Sequence, residues 1–171
     1  EVYGALGLDW IPPELREDAG EVARAAEHAL PRLVELHDVR GDLQMHSQWS
    51  DGAHTIRQMA EAARARGLDY IAITDHSKAL GVANGLDEDR LLRQIEEIRA
   101  LNQELEGFTV LAGCEVEILA DGRLDIADEV LAELDIVLAC VHSGLNAPSE
   151  AITRRMVRAA EHPHVCIIGH P

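Results

Sequence analysis

Apolar and polar residues alternate along this chain with two different periods. From Val39 onward, short apolar runs typical of buried strands are separated by longer stretches whose apolar residues recur at helical spacing. The five predicted strands cover residues 39–46, 70–74, 109–118, 136–141 and 165–169. Because strands and helices alternate and the strands are apolar almost throughout, the pattern predicts an α/β fold with a parallel sheet covered by helices.

Four helices are predicted between these strands, each after a residue that could cap its first turn. They cover residues 55–66, 88–105, 126–134 and 150–161. The predicted N-cap residues are Thr55, Asp87, Asp125 and Ser149. Residues 1–38 lack the alternation and contain the turn Pro12–Pro13 and one short helical stretch ending near Pro31. We therefore expect an acidic lead-in over residues 1–38 and one domain over residues 39–171.

Length and charge narrow the class of protein. The 171 residues carry 15 basic and 31 acidic side chains, a net charge of −16, which argues against binding nucleic acid by bulk charge. No apolar run is long enough to span a membrane, so we expect no membrane partner. A (β/α) barrel needs roughly 200 residues or more, so five strands predict an incomplete barrel that continues beyond Pro171. The start at Glu1 likewise indicates a segment of a longer protein.

The cysteines and the single lysine each allow two interpretations. Cys114, Cys140 and Cys166 lie in apolar strand-like runs, and their odd number fits no disulfide framework, which favours a cytoplasmic protein. Their even spacing suggests a metal triad, but we interpret them as buried core thiols. Lys78 is the one lysine among 15 basic residues. It could be an ordinary surface residue, but its position two residues after His76 suits a phosphate contact.

Residues typical of metal sites follow every predicted strand. The carboxyl ends of parallel strands share one rim, where loops build active sites. The residues brought to this rim are His46, His76, Glu115, His142 and His170, with Asp51 in the turn after the first strand. One histidine at a strand end is unremarkable, whereas four histidines and a glutamate at equivalent ends of five strands predict a site.

The donor types indicate the chemistry of that rim. Imidazole and carboxylate ligands without thiolate suit Zn²⁺, Mn²⁺ or Fe²⁺. Six ligands exceed one tetrahedral site, so two or three metal ions are expected. Clustered ions can stabilise both the attacking and the leaving oxygen in a phosphoester displacement. The sequence shows no Ser-His-Asp arrangement, phosphate-binding loop or dinucleotide fingerprint that would indicate another reaction.

These motifs, in this order, resemble the PHP (polymerase and histidinol phosphatase) domain. The resemblance covers about residues 39–171 and includes Thr74-Asp75-His76, Glu115, and the single histidines His142 and His170. Residues 11–17, 40–43, 75–78 and 118–125 further resemble the C-terminal region of bacterial family X DNA polymerases. The resemblance implies a distorted (β/α)7 barrel with its metal site at the carboxyl ends of the strands.

The same resemblance implies roles for individual residues. The implied metal ligands are His46, Asp51, His76, Glu115, His142 and His170, and these residues together with Asp75 form the implied catalytic set. Gln44 stands where the family has its first histidine, and an amide is a weaker ligand, so we expect one ion to be held less tightly. Lys78, Arg154 and Arg155 are candidates for phosphate contacts. Trp49 could stack on a terminal base or cover the following helix.

Three functions remain open on this basis. The resemblance favours a Mn²⁺- or Zn²⁺-dependent 3′–5′ exonuclease that processes DNA 3′ ends next to an upstream polymerase module in the same chain. A small-molecule phosphatase of the histidinol-phosphate type could use the same rim. A non-catalytic scaffold module is the third possibility, because of Gln44. Bound cations would invert the local charge of the acidic rim, so the net charge does not exclude a DNA substrate.

Overall fold

The computed structural model describes all residues, 1–171, and divides into two compact units, residues 1–39 and residues 40–171. The first unit holds two short helices, α1 (Val2–Ala5) and α2 (Glu21–Ala26), and single 3-10 turns at Pro13–Leu15 and Leu36–Asp38. The helix expected up to Pro31 therefore ends earlier, at Ala26. None of the helices in the chain combines the length and the apolar character needed to cross a membrane.

The second unit contains one sheet of five parallel strands. The strands are β1 (Gly41–Met45), β2 (Tyr70–Ile73), β3 (Thr109–Glu117), β4 (Ile136–Cys140) and β5 (Ile167–Ile168). Each strand pairs with the next one along the chain, in the order β1-β2-β3-β4-β5. Because each new strand pairs at the same edge of the sheet, the sheet curls as part of a barrel does. The predicted α/β fold and incomplete (β/α) barrel are therefore confirmed.

Four helices connect the strands: α3 (Ile56–Ala65), α4 (Glu88–Asn102), α5 (Asp128–Leu131) and α6 (Ser149–Ala160). Thr55 and Asp87 cap α3 and α4 as expected, each accepting a hydrogen bond from the backbone N–H three residues on. The two other predicted caps are wrong. α5 begins at Asp128 after Ala127, and α6 begins after Pro148, neither with a side-chain cap. The Asp125 carboxylate instead accepts a hydrogen bond from the Ala79 N–H.

The main core lies between the sheet and the helices that cover it. α4 buries one apolar stripe at helical spacing, which consists of Leu91, Ile95, Ile98 and Leu101. β2 contributes Ile71, Ala72 and Ile73, all fully buried. Cys114 and Cys140 are buried as predicted, but Cys166, directly before β5, is exposed. This packing holds the carboxyl ends of the strands in fixed positions.

Candidate metal centre

The strand ends bring four histidines and one glutamate into contact. His46 directly follows β1, His76 comes three residues after β2, and His142 and His170 each come two residues after their strands. Glu115 belongs to β3, the middle strand of the sheet. Because all strands are parallel, these residues lie at the same rim.

Glu115 lies at the centre of this group. Its side chain is only 1% exposed, and its two carboxylate oxygens face different histidines. Oε2 lies 3.2 Å from Nε2 of His46 and 3.5 Å from Nδ1 of His76. Oε1 lies 3.1 Å from Nε2 of His142 and 2.9 Å from Nε2 of His170. One carboxylate therefore links two pairs of imidazoles.

The four imidazoles form a continuous row. The rings of His46 and His76 stack with centroids 4.3 Å apart, and His142 lies 5.3 Å from His76 and 5.1 Å from His170. Asp51 approaches the first pair, with carboxylate oxygens 3.8 Å from Nδ1 of His46 and 3.8 Å from Nε2 of His76. These distances are too long for hydrogen bonds and leave space between the donor atoms.

The electrostatics of the row follow from Glu115. Burial alone would raise the pKa of the Glu115 carboxyl, but hydrogen bonds from His46, the Cys140 thiol and His170 lower that pKa below its usual value. The hydrogen bond to Glu115 raises the pKa of His46. Desolvation by burial lowers the pKa of His76. The carboxylate is thus ionised and His76 favours the neutral form, which are the states that bind a metal ion.

The donor atoms fit divalent metal ions in two groups. His46, Asp51 and His76 form one group, and Glu115, Cys140, His142 and His170 form the other, with the donor atoms of each group within 4.8 Å of one another. The buried Nδ1 atoms of His46 and His76 have no hydrogen-bond partner. Buried nitrogens without partners are costly unless something else binds them. The unpartnered nitrogens and the closely spaced donor atoms therefore fit divalent metal ions.

Gln44 reaches the same carboxylate from β1. Its side-chain nitrogen donates a hydrogen bond of 3.1 Å to Oε2 of Glu115. An amide that donates to the shared carboxylate stabilises its charge but does not offer its oxygen as a ligand in this arrangement. Gln44 thus contacts the centre at the position where a further histidine was expected by resemblance.

Glu117 and Arg155 hold His142 in place. Glu117 accepts hydrogen bonds from the backbone N–H of His142 (2.9 Å) and from its Nδ1 (2.8 Å). Since a carboxylate only accepts, Nδ1 carries the hydrogen and Nε2 faces Glu115. Arg155 is 5% exposed and donates to Glu117 and to the carbonyl groups of Ile118 and Ser143. The guanidinium predicted to contact phosphate is therefore buried and fully engaged within the protein.

Asp75, a member of the implied catalytic set, makes its side-chain hydrogen bonds to the loop after β1 and to α4. The side chain is fully buried and accepts hydrogen bonds from the backbone and hydroxyl of Ser47, from the hydroxyl of Ser50 and from the amide of Gln94. Asp75 thereby fastens the loop after β1 to α4. That loop carries His46 and Asp51, so Asp75 acts on the centre by positioning its neighbours.

The remaining predicted contacts lie outside the donor cluster. Nζ of Lys78 forms an ion pair with Glu88 at 2.5 Å. Trp49 packs against the core and its Nε1 donates to Glu97. Arg154 is exposed on α6, 3.8 Å from Glu150. The side chains of Lys78 and Arg154 are 44% and 73% exposed.

Two residues at the centre were not among the predicted site residues. Glu117 lies two residues after Glu115 on β3, so the period of a strand places both on one face, and Cys140 is the last residue of β4, two residues before His142. That period was available in the sequence. The interpretation of all three cysteines as core residues concealed the signal for Cys140.

Comparison with known proteins defines the class of this domain. The family model described as the PHP domain matches residues 42–167. The chain therefore belongs to the PHP domain family, a class of metal-dependent phosphoesterases, as its fold and clustered histidines had indicated.

Individual relatives narrow the comparison further. The chain is 52% identical over all 171 residues to the DNA polymerase/3′-5′ exonuclease PolX of Bacillus subtilis, of which it covers 30%. It is 35% identical over 136 residues to a probable phosphatase of Thermoanaerobacter sp. and 34% identical over 134 residues to a probable phosphatase of Syntrophotalea carbinolica. These matches cover 76% of the chain and 53% of each phosphatase. The chain thus spans between 30% and 53% of the length of these relatives.

Proposed function

We propose that this chain is the PHP module of a family X DNA repair polymerase and that it acts as a metal-dependent 3′–5′ exonuclease on DNA 3′ ends. The observation that carries the proposal is the Glu115 carboxylate, which faces imidazoles through both oxygens among the donors that would hold divalent ions. The proposed metal ligands are His46, Asp51, His76, Glu115, His142 and His170. The 52% identity with PolX over the whole chain supports the choice of DNA as substrate.

The residues of the rim have distinct tasks in this proposal. Divalent ions, Mn²⁺ or Zn²⁺, would stabilise negative charge on the attacking and leaving oxygens of the phosphodiester. Glu115 holds the two groups of donors together, and Glu117 fixes the orientation of His142. Lys78 and Arg154 are the proposed contacts for substrate phosphate, and Trp49 is the proposed contact for a terminal base.

The proposed setting is a longer polymerase chain in the cytoplasm. A net charge of −16 provides little attraction for DNA outside the rim, and residues 1–38 hold nine acidic and only three basic residues. We propose that residues 1–38 link the PHP domain to a polymerase module in the same chain, which holds the DNA. Three free cysteines are compatible with a reducing compartment.

The test measures removal of nucleotides from 3′-labelled single-stranded and gapped DNA by the full-length protein with Mn²⁺ or Zn²⁺. Glu115→Gln and His142→Ala are expected to lower the rate about a hundredfold or more, because each removes a donor that no neighbour replaces. Glu133→Gln removes an exposed carboxylate that pairs with Arg99 and is expected to change nothing. Full activity in both Glu115→Gln and His142→Ala would overturn the assignment of the site.

A small-molecule phosphatase is the second candidate, favoured by the two relatives named as probable phosphatases. It would use the same ligands on a phosphomonoester. Hydrolysis of histidinol phosphate without any action on DNA ends would establish this candidate in place of the exonuclease.

A scaffold module is the third candidate, favoured by the hydrogen bond that Gln44 donates to Glu115 in place of a ligand nitrogen. Metal analysis of the purified full-length protein distinguishes this case. Absence of bound transition metal, together with no binding of added Mn²⁺ or Zn²⁺, would support a scaffold.

A further inference from the structure

We propose that Cys140 is a metal ligand, and that its sulfur makes one end of the metal centre selective for Zn²⁺ over Mn²⁺. The proposal rests on the proposed function, since it requires that the rim binds metal ions. It assigns the two groups of donors different chemistry: one contains a thiol, and the other contains only nitrogen and oxygen donors.

The position of the sulfur supports this role. Cys140 is the last residue of β4, fully buried, and pairs in register with Glu117 on β3. Its Sγ, a carboxylate oxygen of Glu115 and a ring nitrogen each of His142 and His170 all lie within 4.8 Å of one another. Four donor atoms at such mutual distances match the number of ligands in a closed tetrahedral site.

The backbone beside the sulfur is shaped around it. A Cβ atom added at Gly169 would stand 2.5 Å from Sγ of Cys140, closer than side-chain atoms come to a real Cβ. The missing side chain at Gly169 thus leaves space for the sulfur, directly before the ligand His170. A glycine here lets the sulfur and the imidazole share one small volume.

The two other cysteines show that this arrangement is particular to Cys140. Cys114 is also buried, but its Sγ lies 3.3 Å from the backbone carbonyl of Asp75 and outside both donor groups. Cys166 is exposed, with its Sγ 3.6 Å from the carbonyl of His164. Only Cys140 brings its sulfur to the imidazoles and the carboxylate.

The chemistry of the donors then predicts metal preference. A thiolate is a soft ligand that favours Zn²⁺, whereas imidazole and carboxylate oxygens also accept Mn²⁺. Binding replaces the thiol proton, which passes to solvent, so one sulfur–metal bond forms as one S–H bond breaks. We therefore expect Zn²⁺ at the end with Cys140, and either ion at the end with His46, Asp51 and His76.

The test is titration of the full-length, metal-free protein with Co²⁺, whose thiolate complexes show a sulfur-to-cobalt charge-transfer band in the near ultraviolet. The band is expected in the unmodified protein and in Cys166→Ser, which keeps the buried sulfur. It is expected to disappear in Cys140→Ala and Cys140→Ser while the visible ligand-field bands persist. Gly169→Ala is expected to weaken the band by displacing the sulfur, and circular dichroism checks that each variant is folded.

Zn²⁺ and Mn²⁺ affinities provide an independent measurement. Cys140→Ser is expected to lower Zn²⁺ affinity about tenfold or more and to leave Mn²⁺ affinity nearly unchanged. Ligand-field bands without a thiolate band in the unmodified protein would overturn the role of Cys140 and leave the proposed function intact. Failure to bind Co²⁺, Zn²⁺ or Mn²⁺ at all would overturn both proposals.

Discussion

At the scale of single residues, the centre depends on two buried carboxylates, each of which has hydrogen-bond or ion-pair partners. Glu115 faces four imidazoles. Glu117 faces His142 and Arg155, and the side chains of Glu117 and Arg155 are only 3% and 5% exposed. Burying a charge costs several kcal/mol unless a partner compensates it. The two glutamates therefore have different surroundings: Glu115, a proposed metal ligand, lies among imidazoles, while Glu117 compensates an internal guanidinium.

Glu117→Gln is expected to destabilise the fold, because it leaves the Arg155 guanidinium buried without its counter-charge. Breaking a buried ion pair from one side costs about 3 kcal/mol or more in free energy of unfolding. Urea denaturation of the variant and the unmodified protein measures the difference. Glu133→Gln breaks the exposed pair with Arg99 and should cost less than about 1 kcal/mol. Equal effects of the two substitutions would contradict the importance of burial here.

At the scale of elements, the loops after the strands place the ligands, and the helices fix the loops. The network around Asp75 joins the loop after β1 to α4 through Ser47, Ser50 and Gln94. Arg155 of α6 joins the loop after β4 through the Ser143 carbonyl. A ligand loop is thus attached to a helix on the outside of the sheet in both cases. Substitutions in these helices should alter metal affinity without touching a ligand.

The starts of α3 and α6 differ in capping and allow a matched prediction. The Thr55 hydroxyl accepts a hydrogen bond from the Gln58 N–H, and the Thr55 N–H donates one to Oε1 of Gln58. Together these bonds form a complete capping box. Thr55→Ala should therefore lower the free energy of unfolding by about 1 kcal/mol. Ser149→Ala should change it by less than about 0.5 kcal/mol, because α6 has no side-chain cap. Thermal or urea unfolding of both variants compares them, and a larger loss in Ser149→Ala would contradict the assigned helix starts.

At the scale of the whole molecule, the parallel order of the strands and the excess of acidic residues act together. Successive parallel strands collect the histidines at one rim, and that rim concentrates carboxylates that bound cations would neutralise. Stability of the fold should therefore depend on metal ions. The effect follows from mass action, since ions bind the folded site and not the separated ligands.

Saturating Zn²⁺ is expected to raise the melting temperature of the protein. A free Zn²⁺ concentration of a hundred times the dissociation constant adds about 2.7 kcal/mol to the free energy of unfolding. For a domain of this size that corresponds to roughly 5–10 °C. Differential scanning fluorimetry with Zn²⁺, and then with excess chelator, measures the shift and its reversal. Glu115→Gln should show a much smaller shift, and an equal shift in this variant would place the ion elsewhere.

Much of this protein could be predicted from its sequence. Apolar periodicity predicted all five strands, and the positions of His46, His76, Glu115, His142 and His170 after or within them predicted a shared rim. Both predictions work because they depend on local period and on the single direction of parallel strands. The caps at Asp125 and Ser149 were wrong, because residues such as Asp125 can satisfy a distant backbone group instead of a helix end.

Contacts between residues far apart in the chain were decided only by the tertiary structure. The sequence by itself determined the α/β class, the rim and its imidazole and carboxylate donors, since these follow from composition and spacing. The folded chain alone shows that Asp75 positions the loop after β1, that Arg155 is a buried counter-charge, and that the sulfur of Cys140 lies beside Glu115. The physical reason is that charge compensation and close packing depend on distances between side chains, which local pattern does not specify.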